Sequence, residues 1–133
     1  MTMRETEQSI LADLDLLGDA LNRMEYVLGC GRAASGIPPE MRREDTLVAD
    51  CQVNTWVVAA WKGDVLHLHT DSESMLVRGA LSLIVEIYQG RSRDEVQNFD
   101  CSLLSCEAFT DLLDGNQKKG LRAVLSTLSG ETP

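Results

Sequence analysis

Apolar residues in the first third of the chain recur three or four positions apart, which is the spacing of one helix face. The first such run predicts an amphipathic helix from Glu7 to Gly18. A second run begins after Asp19, a residue type that commonly caps helices, and continues to Leu28. Residues 33–44 contain two adjacent prolines and a Ser-Gly pair, so we expect a connecting segment there.

The pattern then changes to short segments rich in β-prone residues. It predicts strands at residues 46–49, 53–61 and 65–69, with a Gly-containing turn at residues 62–64. Three such strands would form a small antiparallel meander, and its apolar face would need helices to cover it.

The second half of the chain is predicted to be helical. Thr70 and Glu73 form a capping-box pattern that opens a long apolar helix ending at Gln89. Gly79 and Ala80, in the middle of this helix, predict a close approach to the sheet. Shorter helices are predicted at residues 92–98, 107–113 and 118–128.

The sequence predicts one α+β domain over residues 1–133, with its main elements in the order α-α-β-β-β-α-α-α. The composition, 44% hydrophobic and 25% charged, is ordinary for a globular protein. A net charge of -9 argues against nucleic-acid binding, because phosphate groups require a basic patch. No apolar run approaches the ~20 residues of a membrane span, and the N-terminus does not resemble a signal peptide. We therefore expect a cytoplasmic protein that binds neither nucleic acid nor membranes.

One thiol lies where a loop would present a reactive group. Cys51 is the centre of the polar triplet Asp50-Cys51-Gln52, between two predicted strands. Strands fix the ends of such a loop, and loops commonly carry function. A thiolate is a nucleophile that can accept and release sulfur, so Cys51 is the candidate working residue. The alternative from the pattern alone is a cysteine that packs as a small buried hydrophobe.

The remaining cysteines and the two histidines give weaker signals. Cys30, Cys101 and Cys106 are expected to be free thiols in a reducing cytosol, and their spacing does not predict a zinc site. His67 and His69 share one face of a predicted strand. They are either metal ligands or a proton shuttle, or else the polar face of a hairpin, and the lack of further ligands favours the polar face.

Several separated motifs occur in a fixed order along residues 19–121. They are Met24-Glu25-Tyr26-Val27-Leu28 followed by Gly31-Arg32, Asp50-Cys51-Gln52-Val53-Asn54-Thr55-Trp56, Asp71-Ser72-Glu73, and Leu76-Val77-Arg78-Gly79-Ala80. This series resembles the SufE family of sulfur acceptors, whose central run is Gly-Cys-Gln-Ser-Gln-Val-Trp. The resemblance implies a SufE/IscU-like fold, in which a small three-stranded antiparallel sheet packs against several helices.

The resemblance also implies a function and a set of partners. Cys51 would accept persulfide sulfur from a SufS-like or CsdA-like cysteine desulfurase, stimulate that enzyme, and deliver the sulfur to an iron–sulfur scaffold or another acceptor. No cofactor is then expected on this chain, because pyridoxal phosphate belongs to the desulfurase. The chain would be an accessory sulfur-transfer protein without catalytic turnover of its own, as a monomer or weak homodimer.

The resemblance suggests five residues for loop support or partner contact: Asp50, Gln52, Trp56, Glu73 and Arg78. The sequence departs from the family at two places near the expected site. Asp50 stands where the family has glycine, and a carboxylate beside a thiol disfavours the thiolate. Gln117 stands where the family usually has arginine, three residues before a Gly-Leu pair, with Lys118 and Lys119 next to it.

Two other functions stay open from the sequence. One is a regulatory module that docks on a desulfurase without carrying sulfur, for which Cys51→Ser would retain the effect. The other is a peroxide-sensing thiol with Cys101 as its resolving partner, and Asp50 counts against it. Hydrolysis is disfavoured because no Ser/His/Asp set or paired carboxylates form a defined site.

Overall fold

The structure, a computed structural model, describes residues 1–48 and 51–130. Its α-helices are α1 (Met3–Leu16), α2 (Ala20–Ala33), α3 (Met75–Tyr88), α4 (Arg93–Gln97), α5 (Glu107–Thr110) and α6 (Gly115–Leu128). The strands are β1 (Thr55–Lys62) and β2 (Val65–Ser72), and 3₁₀ turns occur at Pro39–Met41, Glu44–Thr46 and Leu103–Ser105. The predicted α+β class is therefore confirmed.

In the described part of the chain, the sheet has two strands instead of the predicted three. β1 and β2 pair antiparallel, with Thr55 opposite Ser72 at one end and Lys62 opposite Val65 at the other. The Gly-containing turn between them lies where the sequence predicts it.

The predicted strand at residues 46–49 is wrong over its described part. Thr46 ends a 3₁₀ turn, and Leu47 forms only an isolated bridge with Trp56. The hydroxyl of Thr46 donates to the Met41 carbonyl at 2.8 Å and accepts from the Arg43 N–H at 3.0 Å. Such local side-chain bonds compete with strand formation, which explains the difference. Residue 49 lies outside the described chain.

The predicted capping box at Thr70 and Glu73 is also wrong, because β2 continues through this region. Thr70 is paired with Val57 in the sheet. The central helix begins at Met75 instead, and the hydroxyl of Ser74 accepts a hydrogen bond from the backbone of its first turn. The β-branched threonine fits a strand at least as well as a cap.

Helix α3 is the centre of the core, and it approaches α2 where the sequence predicts contact with the sheet. A Cβ added to Gly79 would clash with the Val27 carbonyl of α2, and one added to Gly31 would clash with the Met75 carbonyl. The two glycines thus allow the backbones of α2 and α3 to touch. The core faces of both helices are otherwise apolar, as the periodicity predicts.

The first and last long helices begin earlier than predicted. Thr2 and Asp114 each form a complete capping box, which starts α1 at Met3 and α6 at Gly115. No helix in residues 1–48 or 51–130 is long and apolar enough to cross a membrane.

Candidate functional site

Cys51 borders a pocket of about 160 Å³ between the start of β1, helix α3 and helix α6. Buried aliphatic side chains form its inner wall: Val77, Leu81, Leu121 and Val124. Polar residues are also part of the lining: Gln52, Thr55, Ser74, Asp114, Asn116 and Gln117. The thiol of Cys51, which is half-buried, thus lies beside a small space with an apolar interior.

The sulfur of Cys51 lies against a glycine of α6. A Cβ added to Gly120 would stand 2.5 Å from Cys51 Sγ. Cys51 is also the only described residue beyond the chain neighbours and backbone of α6 within 4 Å of that position. Because any real side chain would displace the sulfur, Gly120 is the residue that makes room for it.

Two helices begin at this pocket. Ser74 and Asp114, the N-caps of α3 and α6, both line it. Unpaired N–H groups give a helix N-terminus partial positive charge, which favours nearby anions, thiolates among them. The pocket therefore combines an apolar wall with two helix starts.

The position at which the family usually has arginine is occupied by a capping residue. The side-chain oxygen of Gln117 accepts from the Asp114 N–H at 2.9 Å, and the Gln117 N–H donates to Asp114 Oδ1 at 2.7 Å. Arginine has no acceptor atom, so it could not complete this capping box. Gln117 thus helps to shape the pocket by fixing the start of α6.

The residues predicted to support the loop are dispersed. Gln52 lines the pocket, whereas Trp56, the second residue of β1, is buried at 7% exposure. Glu73 is exposed, and its N–H donates to the Asn54 carbonyl at 2.9 Å. Asp50 lies outside the described residues. Arg78 belongs to a separate ionic network.

The network is centred on Asp71, and the sequence does not predict that its members lie together. The Asp71 carboxylate is 1% exposed and accepts from the Ile37 N–H at 3.1 Å, from Arg42 at 2.6 Å and from the Ser72 N–H at 2.8 Å. Arg78 Nη1 lies 3.6 Å from it. Burial alone would raise the pKa of Asp71, but these donors outweigh it and hold the pKa below its ordinary value. The motif containing Asp71 was visible, but its partners come from distant positions.

A second thiol has a different environment, beside a more open cleft of about 500 Å³. Cys101 lines this cleft and interacts with Tyr88 and with Glu7, which is 1% exposed. Burial, reinforced by the Glu7 carboxylate, raises the pKa of Cys101 to about 12. Burial also raises the pKa of Cys30.

The other candidate ligands do not converge. Cys30, Cys101 and Cys106 are free thiols. His67 is half-buried and His69 exposed on β2, and neither is among the described residues that line the Cys51 pocket. Over residues 1–48 and 51–130, no three His, Cys, Asp or Glu side chains are grouped so that they could hold a metal ion.

The fold has a known counterpart. A solution structure of a hypothetical protein from Thermus thermophilus superposes with a TM-score of 0.70 at 22% identity, covering 95% of this chain and 92% of that one. At this level of identity the likeness concerns the fold alone.

The sequence pattern of the family described as "SufE: Fe-S metabolism associated domain" matches residues 8–132, so the chain belongs to the SufE family. An uncharacterized SufE-like protein of Rhizobium etli is 25% identical over 127 residues, covering 92% of this chain and 86% of that protein. A second, of Rhizobium meliloti, is 23% identical over 127 residues, with 92% and 91% covered. The cysteine desulfuration protein SufE of Wigglesworthia glossinidia brevipalpis is 22% identical over 101 residues, covering 74% and 70%.

Membership of this family confirms the resemblance found in the sequence. It gives the protein a role in iron–sulfur metabolism and implies interaction with a cysteine desulfurase.

Proposed function

We propose that Cys51 accepts sulfur from the persulfide of a cysteine desulfurase, stimulates that enzyme, and delivers the sulfur for iron–sulfur cluster assembly. The observation that supports the proposal most directly is the close packing of Cys51 Sγ against Gly120, beside the apolar pocket. A persulfide needs a place that limits contact with water and with stray thiols, and a small pocket next to the sulfur supplies one.

The transfer is a thiol–disulfide exchange. The Cys51 thiolate attacks the outer sulfur of the desulfurase persulfide, and the bond between the two sulfurs of that persulfide breaks. The desulfurase cysteine leaves as a thiolate, and Cys51 carries the persulfide. No net oxidation occurs, so no redox cofactor is required. On this proposal the chain binds no cofactor, and pyridoxal phosphate is held by the desulfurase.

The two helix starts at the pocket have a role in this chemistry. The reacting sulfur carries negative charge both as the thiolate before attack and as the deprotonated persulfide afterwards. The N-terminus of α3, capped by the uncharged Ser74, favours such charge in its vicinity, whereas the carboxylate of Asp114 offsets part of that effect at the start of α6.

The test is intact mass spectrometry after incubation with a cysteine desulfurase and free cysteine, with Cys51→Ser and Cys106→Ser compared. We expect wild type and Cys106→Ser to gain one sulfur atom, which peptide mapping assigns to Cys51, and Cys51→Ser to gain none. Desulfurase turnover is measured in the same samples.

Two outcomes would contradict the carrier function. If Cys51→Ser gains as much sulfur as wild type, the acceptor is another residue. Stimulation of the desulfurase by both wild type and Cys51→Ser, with no sulfur gained by either, would identify a regulatory module that docks without carrying sulfur.

A further inference from the structure

The segment before Cys51 is tied to the sheet by one arginine. Arg42 donates to Asp71 at 2.6 Å, and its guanidinium carbon lies 5.0 Å from the centroid of the Trp56 ring. Trp56 and Asp71 face each other in the β1–β2 register. One side chain thus joins the 3₁₀-rich segment at residues 39–46 to both strands at once.

The same end of the sheet forms part of the Cys51 pocket. Ser72, whose N–H donates to Asp71, has its hydroxyl 2.9 Å from the hydroxyl of Thr55. Thr55 is 1% exposed and lines the pocket. Ser72 also accepts from the N–H of Ser74, the N-cap of α3. Short polar contacts therefore lead from Asp71 to two residues of the pocket lining.

Two described residues on either side of the Cys51 region, Val48 and Thr55, are paired at this end of the sheet. The Val48 N–H donates to the Thr55 carbonyl at 2.8 Å, and Leu47 forms its bridge with Trp56. The chain that enters the Cys51 region and the chain that leaves it are thus paired next to the Arg42–Trp56 contact. A disturbance of that contact reaches both.

Arg42 is not needed to neutralise Asp71. Without it, the carboxylate would keep the N–H groups of Ile37 and Ser72 and the nearby guanidinium of Arg78. The Arg42 side chain is 40% exposed, so its removal leaves no buried cavity. Its particular contribution is to hold residues 39–48 against Trp56.

We propose that Arg42 is a positioning residue for Cys51, which limits access to the thiol by holding the preceding segment on Trp56 and Asp71. The functional meaning rests on the proposed role of Cys51, because a sulfur carrier benefits from a thiol that is shielded until its partner binds. The geometric claim itself needs no desulfurase and is tested without one.

The test measures the rate at which iodoacetamide alkylates each cysteine of the folded full-length chain, read by peptide mass spectrometry. We expect Arg42→Ala to raise the Cys51 rate about tenfold, the scale of a lost cation–π contact and ion pair. Arg42→Lys keeps the charge but not the flat guanidinium, so it should fall between Arg42→Ala and wild type. Arg43→Ala is the matched control, because the ion pair that Arg43 forms within the described residues is with the exposed Asp45.

The rate at Cys30 and the melting temperature separate positioning from general loosening. A rise at Cys51 with the Cys30 rate unchanged supports the proposal, and loss of the Arg42 contacts should lower the melting temperature by only a few degrees. An unchanged Cys51 rate, a parallel rise at Cys30, or an equal effect of Arg43→Ala would overturn it. Failure of sulfur loading in the desulfurase assay, with the alkylation result intact, would refute the carrier function and leave the positioning role standing.

Discussion

Cys51 and Cys101 border different faces of the same helix, and their surroundings differ in kind. The Cys51 pocket is lined by one set of residues from α6: Gln117, Gly120, Leu121 and Val124. The cleft beside Cys101 is lined by another set: Arg122, Leu125, Ser126 and Ser129. Both thiols are half-buried by surface exposure. Cys101 differs in that burial, the largest cause, and the Glu7 carboxylate raise its pKa.

The surroundings of Cys101 disfavour its thiolate form. A buried carboxylate, Glu7, interacts directly with Cys101 and also accepts the Ser102 N–H at 2.6 Å. It thereby fixes α1 to the segment after α4. The Cys51 side has two helix starts, one of them capped by the carboxylate of Asp114, and a glycine that leaves room for the sulfur. The comparison suggests that one thiol is placed for packing and the other for chemistry.

The largest expected difference is in reactivity toward alkylating reagents. With a pKa of about 12, Cys101 is ionised to roughly one part in ten thousand at pH 8. We expect iodoacetamide to label Cys101 at least about a hundredfold more slowly than Cys51 in the same sample. Between pH 8 and pH 10 the Cys101 rate should rise about tenfold per unit, because its thiolate fraction does.

Peptide mass spectrometry of time points from the folded protein gives both rates at once. Similar rates at pH 8 would remove the basis of the comparison. A rapidly labelled Cys101 would also revive the peroxide-sensing hypothesis, since a resolving cysteine must be able to attack as a thiolate.

The next prediction concerns the seat of the Cys51 sulfur. Gly120→Ala places a methyl group 2.5 Å from Sγ, so the sulfur must move by about 1 Å to regain ordinary contact. We expect labelling of Cys51 to rise about tenfold as the thiol is displaced from the pocket. Gly115→Ala is the control in the same helix, because an added Cβ there meets nothing within 4 Å.

A double-mutant cycle in chemical denaturation sharpens this prediction. In a Cys51→Ala background the clash is absent, so Gly120→Ala should stabilise the protein by about 0.5–1 kcal/mol through helix propensity alone. In wild type, displacement of the sulfur should offset most of that gain. If Gly120→Ala changes the free energy of unfolding equally in the two backgrounds, the sulfur of Cys51 does not pack against Gly120.

The sequence contained much of this site, but not its spatial arrangement. Helical periodicity placed the long helices, the predicted cap Asp19 placed the start of α2, and the resemblance singled out Cys51 because its motif is local. The arrangement of Gly120 against Cys51 joins positions 69 residues apart, and neither periodicity nor spacing carries that information. Gly79 shows the same limit: the sequence predicts a close approach there, but the partner is α2 and not the sheet.

Local competition explains the errors in the sheet. Threonine is β-branched and can also bond nearby backbone through its hydroxyl, so Thr46 and Thr70 are each compatible with either structure. Thr46 was predicted as a strand and lies in a 3₁₀ turn, whereas Thr70 was predicted as a helix cap and lies in a strand. Tertiary pairing with Val57 decides the second case, and the Met41 carbonyl decides the first.

The smallest expected effect tests the role of Glu7. Glu7→Gln removes the charge beside Cys101 but keeps an oxygen that can accept the Ser102 N–H. Because a nearby carboxylate disfavours the thiolate, its loss should bring the pKa of Cys101 down from about 12, while burial, the larger cause, keeps that pKa above the ordinary value. The pH profile of Cys101 alkylation should therefore shift to lower pH, with a rate gain of a few-fold at pH 9. The Cys51 profile, on the other face of α6, should not move.

Glu7→Ala also leaves the Ser102 N–H without its acceptor, so it should cost about 1–3 kcal/mol in unfolding free energy, whereas Glu7→Gln should cost less. A Cys101 profile that is unchanged in Glu7→Gln would mean that burial alone suppresses this thiol, and the contrast with Cys51 would then rest on packing and not on charge.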